Sequence, residues 1–380
     1  MIEISLCMIV KNAPDTIARC LDSVRDLVEE MVIVDTGSTD NTKQTIRHYT
    51  DKIVDFDWID DFAAARNFAF SHAAKDYILW LDADDILLDQ DRAKLRLLKE
   101  TLAPSVDSVT MHYNLAFDET GNVTTSLRRN RLVRRQNHFR WHGVVHEYLE
   151  VVGNIFHSDI AVTHANLRHD PDRNIKIYEK RNARGEEFSP RDLFYYANEL
   201  CDHGKYRRAI QYYVKFLATN RGWVEDNISA CARLADCFCE LGDVEQARRY
   251  IVKSFRYDAP RADLCCRMGY IYLHQGDPQK ALAWYKIAAQ LEMPKSFMGM
   301  LNHACWTWLP HLQLCVCYSQ LGEYRLAYTH NELAAQFVPD HPSVLHNRRF
   351  LTPLVQNHTA EVDANFSPAR VQESCESPTS

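Results

Sequence analysis

Hydrophobic positions follow two different rhythms along the chain. Up to about residue 165 they fall in short, nearly unbroken runs, at residues 2–10, 31–34, 53–56 and 77–81. Runs of that length bounded by Gly, Pro, Asn and Asp predict buried strands. Between them apolar residues recur at helical spacing: Ile17, Leu21, Val24, Leu27 and Val28 predict a helix from Pro14 to about residue 30. Further helices are predicted over 42–49, 63–74 and 92–102, with strands over 106–115 and 151–164 and a hairpin turn at 118–122. Strand, helix, strand, helix, strand implies parallel βαβ units.

In open α/β sheets ligands sit outside the carboxyl ends of the strands. Asn12, Asp35, the acidic loop 57–61 and the pair Asp82/Asp84 each follow a predicted strand, so four loops bring polar groups to one rim. Asp82 and Asp84 are two apart, and both can point the same way from a strand end, offering hard oxygen ligands suited to Mg²⁺ or Mn²⁺. A plainer reading keeps Asp84 or Asp85 as the N-cap of a following helix. Arg66, near the start of the 63–74 helix, either contacts phosphates with the help of the helix dipole or pairs with Asp60 or Asp61.

Charge narrows the classes of partner. The 380 residues carry a net charge of −7 with both signs interspersed, so no basic field directs the chain to nucleic acid. No apolar run approaches the roughly 20 residues needed to span a bilayer, and the start of the chain reads as a strand rather than a signal peptide, which predicts a cytoplasmic protein without a transmembrane segment. Most of the twelve cysteines lie within helical apolar patterns, without paired C-x-x-C, and read as small core residues; Cys375, in the polar tail, reads as an exposed thiol.

A second chemical centre runs from Arg128-Arg129-Asn130-Arg131 to Trp141-His142-Gly143-Val144-Val145-His146-Glu147. Its arginines face either a diphosphate or solvent. His142 and His146 have the i,i+4 spacing of a helical zinc pair, but Gly143-Val144-Val145 reads as loop and strand, which argues against that chemistry. Trp141 either stacks on a sugar or acceptor or belongs to the core.

After a charged, Pro-containing linker the strand-like runs vanish and a repeat emerges. Gly204, Gly242, Gly276 and Gly322 are each followed five residues later by Ala209, Ala247, Ala281 and Ala327, and preceded by seven by Ala197, Ala235, Gly269 and Cys315. The unit resembles the 34-residue tetratricopeptide repeat, with an insertion around residues 293–305. Small residues recur because paired helices approach closely. Such arrays bind extended peptides on a concave face, or cover and dimerise a neighbouring domain.

Four segments in order, 4–12, 32–40, Ala65-Arg66-Asn67 and Leu81-Asp82-Ala83-Asp84-Asp85, resemble family 2 glycosyltransferases of the GT-A fold over about residues 1–150. The resemblance implies that Asp35 recognises the nucleotide base, usually uracil, and that Asp82 and Asp84 form the D-x-D segment on ribose, metal and diphosphate. Where many relatives have Asp-Asp-Gly-Ser, this chain has Asp35-Thr36-Gly37-Ser38. Nucleotide-sugar contacts are thereby implied for Lys11, Asn12, Asp35, Gly37, Arg66, Asp82, Ala83 and Asp84, and His146 becomes the third metal ligand. Glu147 is the nearest candidate general base, with Asp85 as rival, unless Glu147 pairs with one of the nearby arginines. Joined to helical repeats, the arrangement is similar to the sublancin-type peptide glycosyltransferases, which modify cysteine or serine of a bacteriocin precursor.

The sequence thus predicts an α/β GT-A nucleotide-sugar domain with a mostly parallel sheet over 1–166, a linker and connecting helix over 167–190, an all-α tetratricopeptide-like array over 191–350, and a disordered tail over 351–380. The expected activity is metal-dependent inverting hexosyl transfer, with Mn²⁺ or Mg²⁺ as cofactor, from a nucleotide sugar, of UDP type, to a peptide or protein side chain. A lipid-linked or surface polysaccharide acceptor is the alternative, and a non-catalytic repeat adaptor is the third reading. The intact Asp82, Asp84 and His146 argue against the adaptor. A homodimer through the repeats is compatible with each.

Overall fold

The computed structural model of the chain describes residues 1–118, 121–165, 171–294 and 298–365, with side chains to residue 356. Its contacts form two compact units, Met1–Asp258 with Pro294–His303, and Ala259–Met293 with the chain from Ala304 onward. The division therefore falls within the repeats, not at 166 or 191.

The first unit begins with the expected alternation: β1 (Ile4–Val10), α1 (Ile17–Asp22), β2 (Glu30–Asp35), α2 (Thr42–Ile46), β3 (Ile53–Asp55), α3 (Phe62–Ser71) and β4 (Tyr77–Trp80). It continues with β5 (Asp85–Ile86), α4 (Asp89–Thr101), β6 (Ser108–Phe117), β7 (Val123–Arg134), β8 (Arg140–His142), β9 (Tyr148–Glu150) and β10 (Ile155–His164). The main sheet has the order β3-β2-β1-β4-β7-β6-β10-β5. Its first four strands are parallel, with Val10 opposite Asp35 and Cys7 opposite Trp80. Strand β7 then enters antiparallel between β4 and β6, and a short β11 (Leu301–Asn302) pairs on it. Parallel strands ending in step bring the residues after β1, β2 and β4 to one rim.

Helix α1 stops at Asp22 instead of reaching residue 30. Val24 and Leu27 are still buried, but through successive i→i+3 turns, Val24 N–H to Leu21 O and Leu27 N–H to Val24 O. Turns repeating every three residues bury the same positions as a helix would, so periodicity does not separate the two. The basic stretch from Arg128 lies inside β7, where aromatic rings and buried carbonyls accept its guanidinium groups.

Helices α5 (Arg173–Ala183), α6 (Pro190–Asp202), α7 (Tyr206–Ala218), α8 (Val224–Glu240) and α9 (Val244–Ser254) complete the first unit. They share a core with the sheet domain: Val145, Trp58 and Phe62 pack among Tyr178, Phe194, Tyr196 and Tyr213. In the first turn of α8, Asp226 is 8% exposed, and burial pushes its carboxyl up to about 6 against the pull of Arg191. A folded-state value above the ordinary one makes stability fall as pH rises from about 4 through about 6, by at most about 3 kcal/mol. Asp226→Asn is therefore expected to raise the unfolding midpoint at neutral pH, with the gap to wild type closing near pH 4.

The second unit contains α10 (Ala262–His274), α11 (Pro278–Gln290), α12 (Trp308–Gln320), α13 (Tyr324–Ala335) and α14 (Pro342–Asn365). The last helix runs past residue 350, where the tail was expected to start; residues 366–380, and Cys375 with them, lie outside the described residues. The repeat register is met in both units. Gly204, Gly242, Gly276 and Gly322 have φ of 68°, 78°, 75° and 78°. After each, the next N–H reaches back five residues to a helix carbonyl: Lys205 to Leu200, Asp243 to Phe238, Asp277 to Tyr272 and Glu323 to Tyr318. This is the left-handed helix ending for which glycine is suited. At Gly269 a Cβ would lie 2.7 Å from the ring of Tyr285, itself only 2% exposed. Gly269→Ala should accordingly cost about 1–3 kcal/mol in denaturant unfolding. An unchanged midpoint would show that the ring yields freely.

Candidate active site

The first wall of the site is built by the loops after β1 and β2. Asn12 adopts φ 49°, accepts a hydrogen bond from Thr39 N–H at 2.8 Å through Oδ1, and donates its own N–H to Ser38 Oγ at 2.9 Å. Asp35 is fully buried; its Oδ1 accepts from the N–H groups of Gly37 and Ser38, at 2.9 and 2.8 Å, while Gly37 turns the chain with φ 99°. Its Oδ2 is buried with no hydrogen-bond partner. A buried carboxylate oxygen in that state is costly unless a ligand donor meets it. Lys11 is exposed beside this loop.

The second wall is the turn 82–85, which closes on itself: Asp85 N–H donates to Asp82 O at 3.0 Å, and Asp82 N–H donates to Asp85 Oδ2 at 2.9 Å. Asp85 is sealed from solvent and paired at 2.9 Å with Arg131, equally sealed. Pairing of β5 with β10 sets His164 opposite Asp85. His164 Nδ1 lies 2.9 Å from the Tyr113 hydroxyl, 3.5 Å from Asp85 Oδ1 and 3.7 Å from Asp84 Oδ1. Ligand atoms of Asp84, Asp85 and His164 lie within 4.8 Å of one another. Burial and the neighbouring carboxylates push the Asp84 carboxyl above its ordinary value, and the Asp85 and Asp84 carboxylates raise His164 against the effect of its burial. Asp82 behaves oppositely: burial would raise it, but Arg66 and Arg131 outweigh that and hold it well below the usual range.

Several of the expected site residues have protein partners here, Arg66 among them. Its guanidinium is 7% exposed, donates Nε to Glu147 Oε1 at 2.5 Å and Nη2 to Asp82 Oδ1 at 2.6 Å, and lies 5.0 and 4.9 Å from the Trp80 and Trp141 rings. Of the two expected general bases, Glu147 is buried and paired with Arg66, and Asp85 is sealed from solvent with Arg131. The partner of Glu147 is Arg66, not one of the arginines after residue 128. Trp141 is 3% exposed, packed between Trp80 and Phe70 in the core. His146 does not join Asp82 and Asp84: its Nε2 lies 2.7 Å from Glu199 Oε1 on α6, and its ring stacks on Tyr195 at 4.4 Å. A histidine two strand-ends away closes the carboxylate cluster instead.

Residues 5–181 match the family model described as "Glycosyl transferase family 2", and residues 262–292 match a tetratricopeptide repeat model. Residues 5–181 are a family 2 glycosyltransferase domain. The chain is 28% identical over 334 residues to a TPR repeat-containing protein of Synechococcus elongatus, across 86% of this chain and 74% of that one. It is 28% identical over 222 residues to the SPbeta prophage-derived glycosyltransferase SunS of Bacillus subtilis, covering 55% of this chain and 51% of the other, so the match spans about half the length of that relative. Among solved structures, glucosyl-3-phosphoglycerate synthase from Mycobacterium tuberculosis in complex with Mn²⁺ and UDP-glucose is 14% identical, covering 50% of this chain and 81% of that one, with a TM-score of 0.34. YrrB, a TPR protein with an unusual peptide-binding site, is 16% identical, covering 51% and 93%, with a TM-score of 0.36.

His164, Arg131, Tyr113 and Glu199 escaped the reading of the sequence. His164 carried a usable signal, a histidine closing a predicted strand. Arg131 was visible only as one of a basic run, and Glu199 sits in a repeat helix where nothing in the pattern links it to the glycosyltransferase domain.

Proposed function

We propose that this glycosyltransferase moves a sugar from a nucleotide-sugar donor, a UDP-sugar, to an acceptor with inversion, assisted by Mn²⁺ or Mg²⁺. The observation that carries the reading is the group Asp84, Asp85 and His164 at the rim of the parallel strands, with Asp85 Oδ1 buried and without a hydrogen bond. Two carboxylates and an imidazole fit a divalent cation, and a buried carboxylate oxygen without a hydrogen bond gains from a further positive contact beyond Arg131. Asp84 and His164 would hold the ion, with Asp82 beside it; when bound, the cation stabilises the charge that grows on the departing diphosphate.

The chain's own residues do the rest. The orphaned Asp35 Oδ2 accepts an N–H of the base, while Asn12 and Gly37 shape the loop around it. Asp82, anchored by Arg66, lies against the ribose and diphosphate. Inversion requires the acceptor to attack the face opposite the departing diphosphate, with a base to receive its proton. The acceptor that the repeats suit is an extended peptide or protein segment. The deciding experiment is nucleotide release from a panel of UDP- and GDP-sugars with Mn²⁺, Mg²⁺ or EDTA, read together with thermal shift. Release from one donor only in the presence of metal supports the reading; silence across the panel, without stabilisation by any nucleotide, moves it to the adaptor alternative.

A further inference from the structure

Helix α6 presents Arg191, Tyr195 and Glu199 at four-residue spacing, hence as one stripe, and all three act on His146. Arg191 donates Nε and Nη2 to the His146 carbonyl at 3.0 and 2.8 Å, Tyr195 stacks on the ring with planes 14° apart, and Glu199 Oε1 meets Nε2 at 2.7 Å. Asn174 of α5 donates to the same Glu199 oxygen at 3.2 Å. His146 itself has φ 53°, a left-handed conformation that a non-glycine residue keeps only when its surroundings hold it there. The side chain is one third exposed.

A chain of ion pairs links this segment to the carboxylate turn. The next residue, Glu147, turns to Arg66, which binds Asp82 of the carboxylate turn. Glu147 and Asp85 are committed to buried arginines, whereas the His146 ring is held through Nε2 and stays one third exposed.

We propose that His146, oriented by Glu199, is the general base of the transfer, so that the first repeat helix supplies half of a catalytic dyad. This rests on the glycosyltransferase reading. His146 Nδ1 takes the proton of the acceptor O–H or S–H; the freed lone pair bonds to the anomeric carbon while the bond from that carbon to the diphosphate oxygen breaks, and its electron pair leaves with the nucleotide. Glu199 stays ionised and fixes the tautomer that leaves Nδ1 open, then offsets the charge of the imidazolium. It is a positioning residue.

Water serves as the acceptor in the test, with UDP-sugar and MnCl₂ as the probe and UDP release as the readout. His146→Gly and His146→Asn both tolerate the left-handed backbone, so that one variant remains if the other fails to fold. Each is expected to lower kcat at least about 100-fold with KM and the UDP-induced thermal shift unchanged, and added imidazole should restore release by the glycine variant. Glu199→Gln should lower kcat without moving KM or the unfolding midpoint. Undiminished release by either His146 variant overturns the proposal; so does loss of the UDP-induced shift, which would make His146 a donor or metal ligand. A wild-type protein that releases nothing from any donor overturns the glycosyltransferase reading itself, a result distinct from those of the variants.

Discussion

Asp84→Ala is expected to lower nucleotide release by on the order of 10³-fold or more while leaving the fold intact. The two halves of that expectation have one cause. Asp84 is a half-buried carboxylate crowded by Asp82 and Asp85, and its carboxyl is pushed above the ordinary range. Folding disfavours its ionised form relative to the unfolded chain, so its removal relieves repulsion and is not expected to lower stability at neutral pH. Its backbone carbonyl, which accepts from Ala165 N–H at 2.9 Å, survives the substitution. The measurement is UDP release with Mn²⁺ alongside thermal unfolding with and without metal: wild type should be stabilised by Mn²⁺ with UDP, and the variant should not. His164→Ala should behave the same way if the two residues share the ion. Unimpaired release by Asp84→Ala would sink the metal assignment.

What was legible in the sequence was what local rules fix. The parallel strands announced themselves as doubly buried apolar runs, and the repeat announced itself because glycine at each helix ending and alanine five residues on are demanded by geometry: Ala209, Ala247, Ala281 and Ala327 are all fully buried. The carboxylate turn was visible for the same reason, since charge at the end of an apolar strand is expensive. What was not legible depends on pairing between distant segments. His164 reaches Asp85 only because β5 and β10 are antiparallel neighbours, and Glu199 reaches His146 only because α6 shares a core with the loop at Val145. Arg66 and Trp141 both have the chemistry of ligand-binding residues; within the fold Arg66 pairs with Glu147 and Asp82 and lies over the Trp141 ring, contacts that no local pattern announces.

The same logic makes Arg131 the residue whose loss should cost the most stability. Its guanidinium is sealed from solvent, lies 3.9 Å from the centre of the Trp80 ring and 4.3 Å from that of Tyr113, and pairs with an equally sealed Asp85. Arg131→Met leaves that carboxylate buried with only His164, 3.5 Å away, to offset its charge, which is expected to cost about 3–5 kcal/mol in denaturant unfolding. Two nitrogens of Arg131 already lack hydrogen-bond partners, so the pair is not an efficient source of stability in itself. The double variant Arg131→Met with Asp85→Leu should therefore regain much of the loss, because an apolar pair replaces two desolvated charges. Activity should not return with it. Asp85 Oδ2 is what holds the Asp82 N–H, and without it the turn that carries Asp82 and Asp84 loses its closing bond. A double variant as unstable as the single would show that the methionine fails to pack; one that is both stable and active would show that Asp85 serves the ion pair alone and has no part in shaping the site.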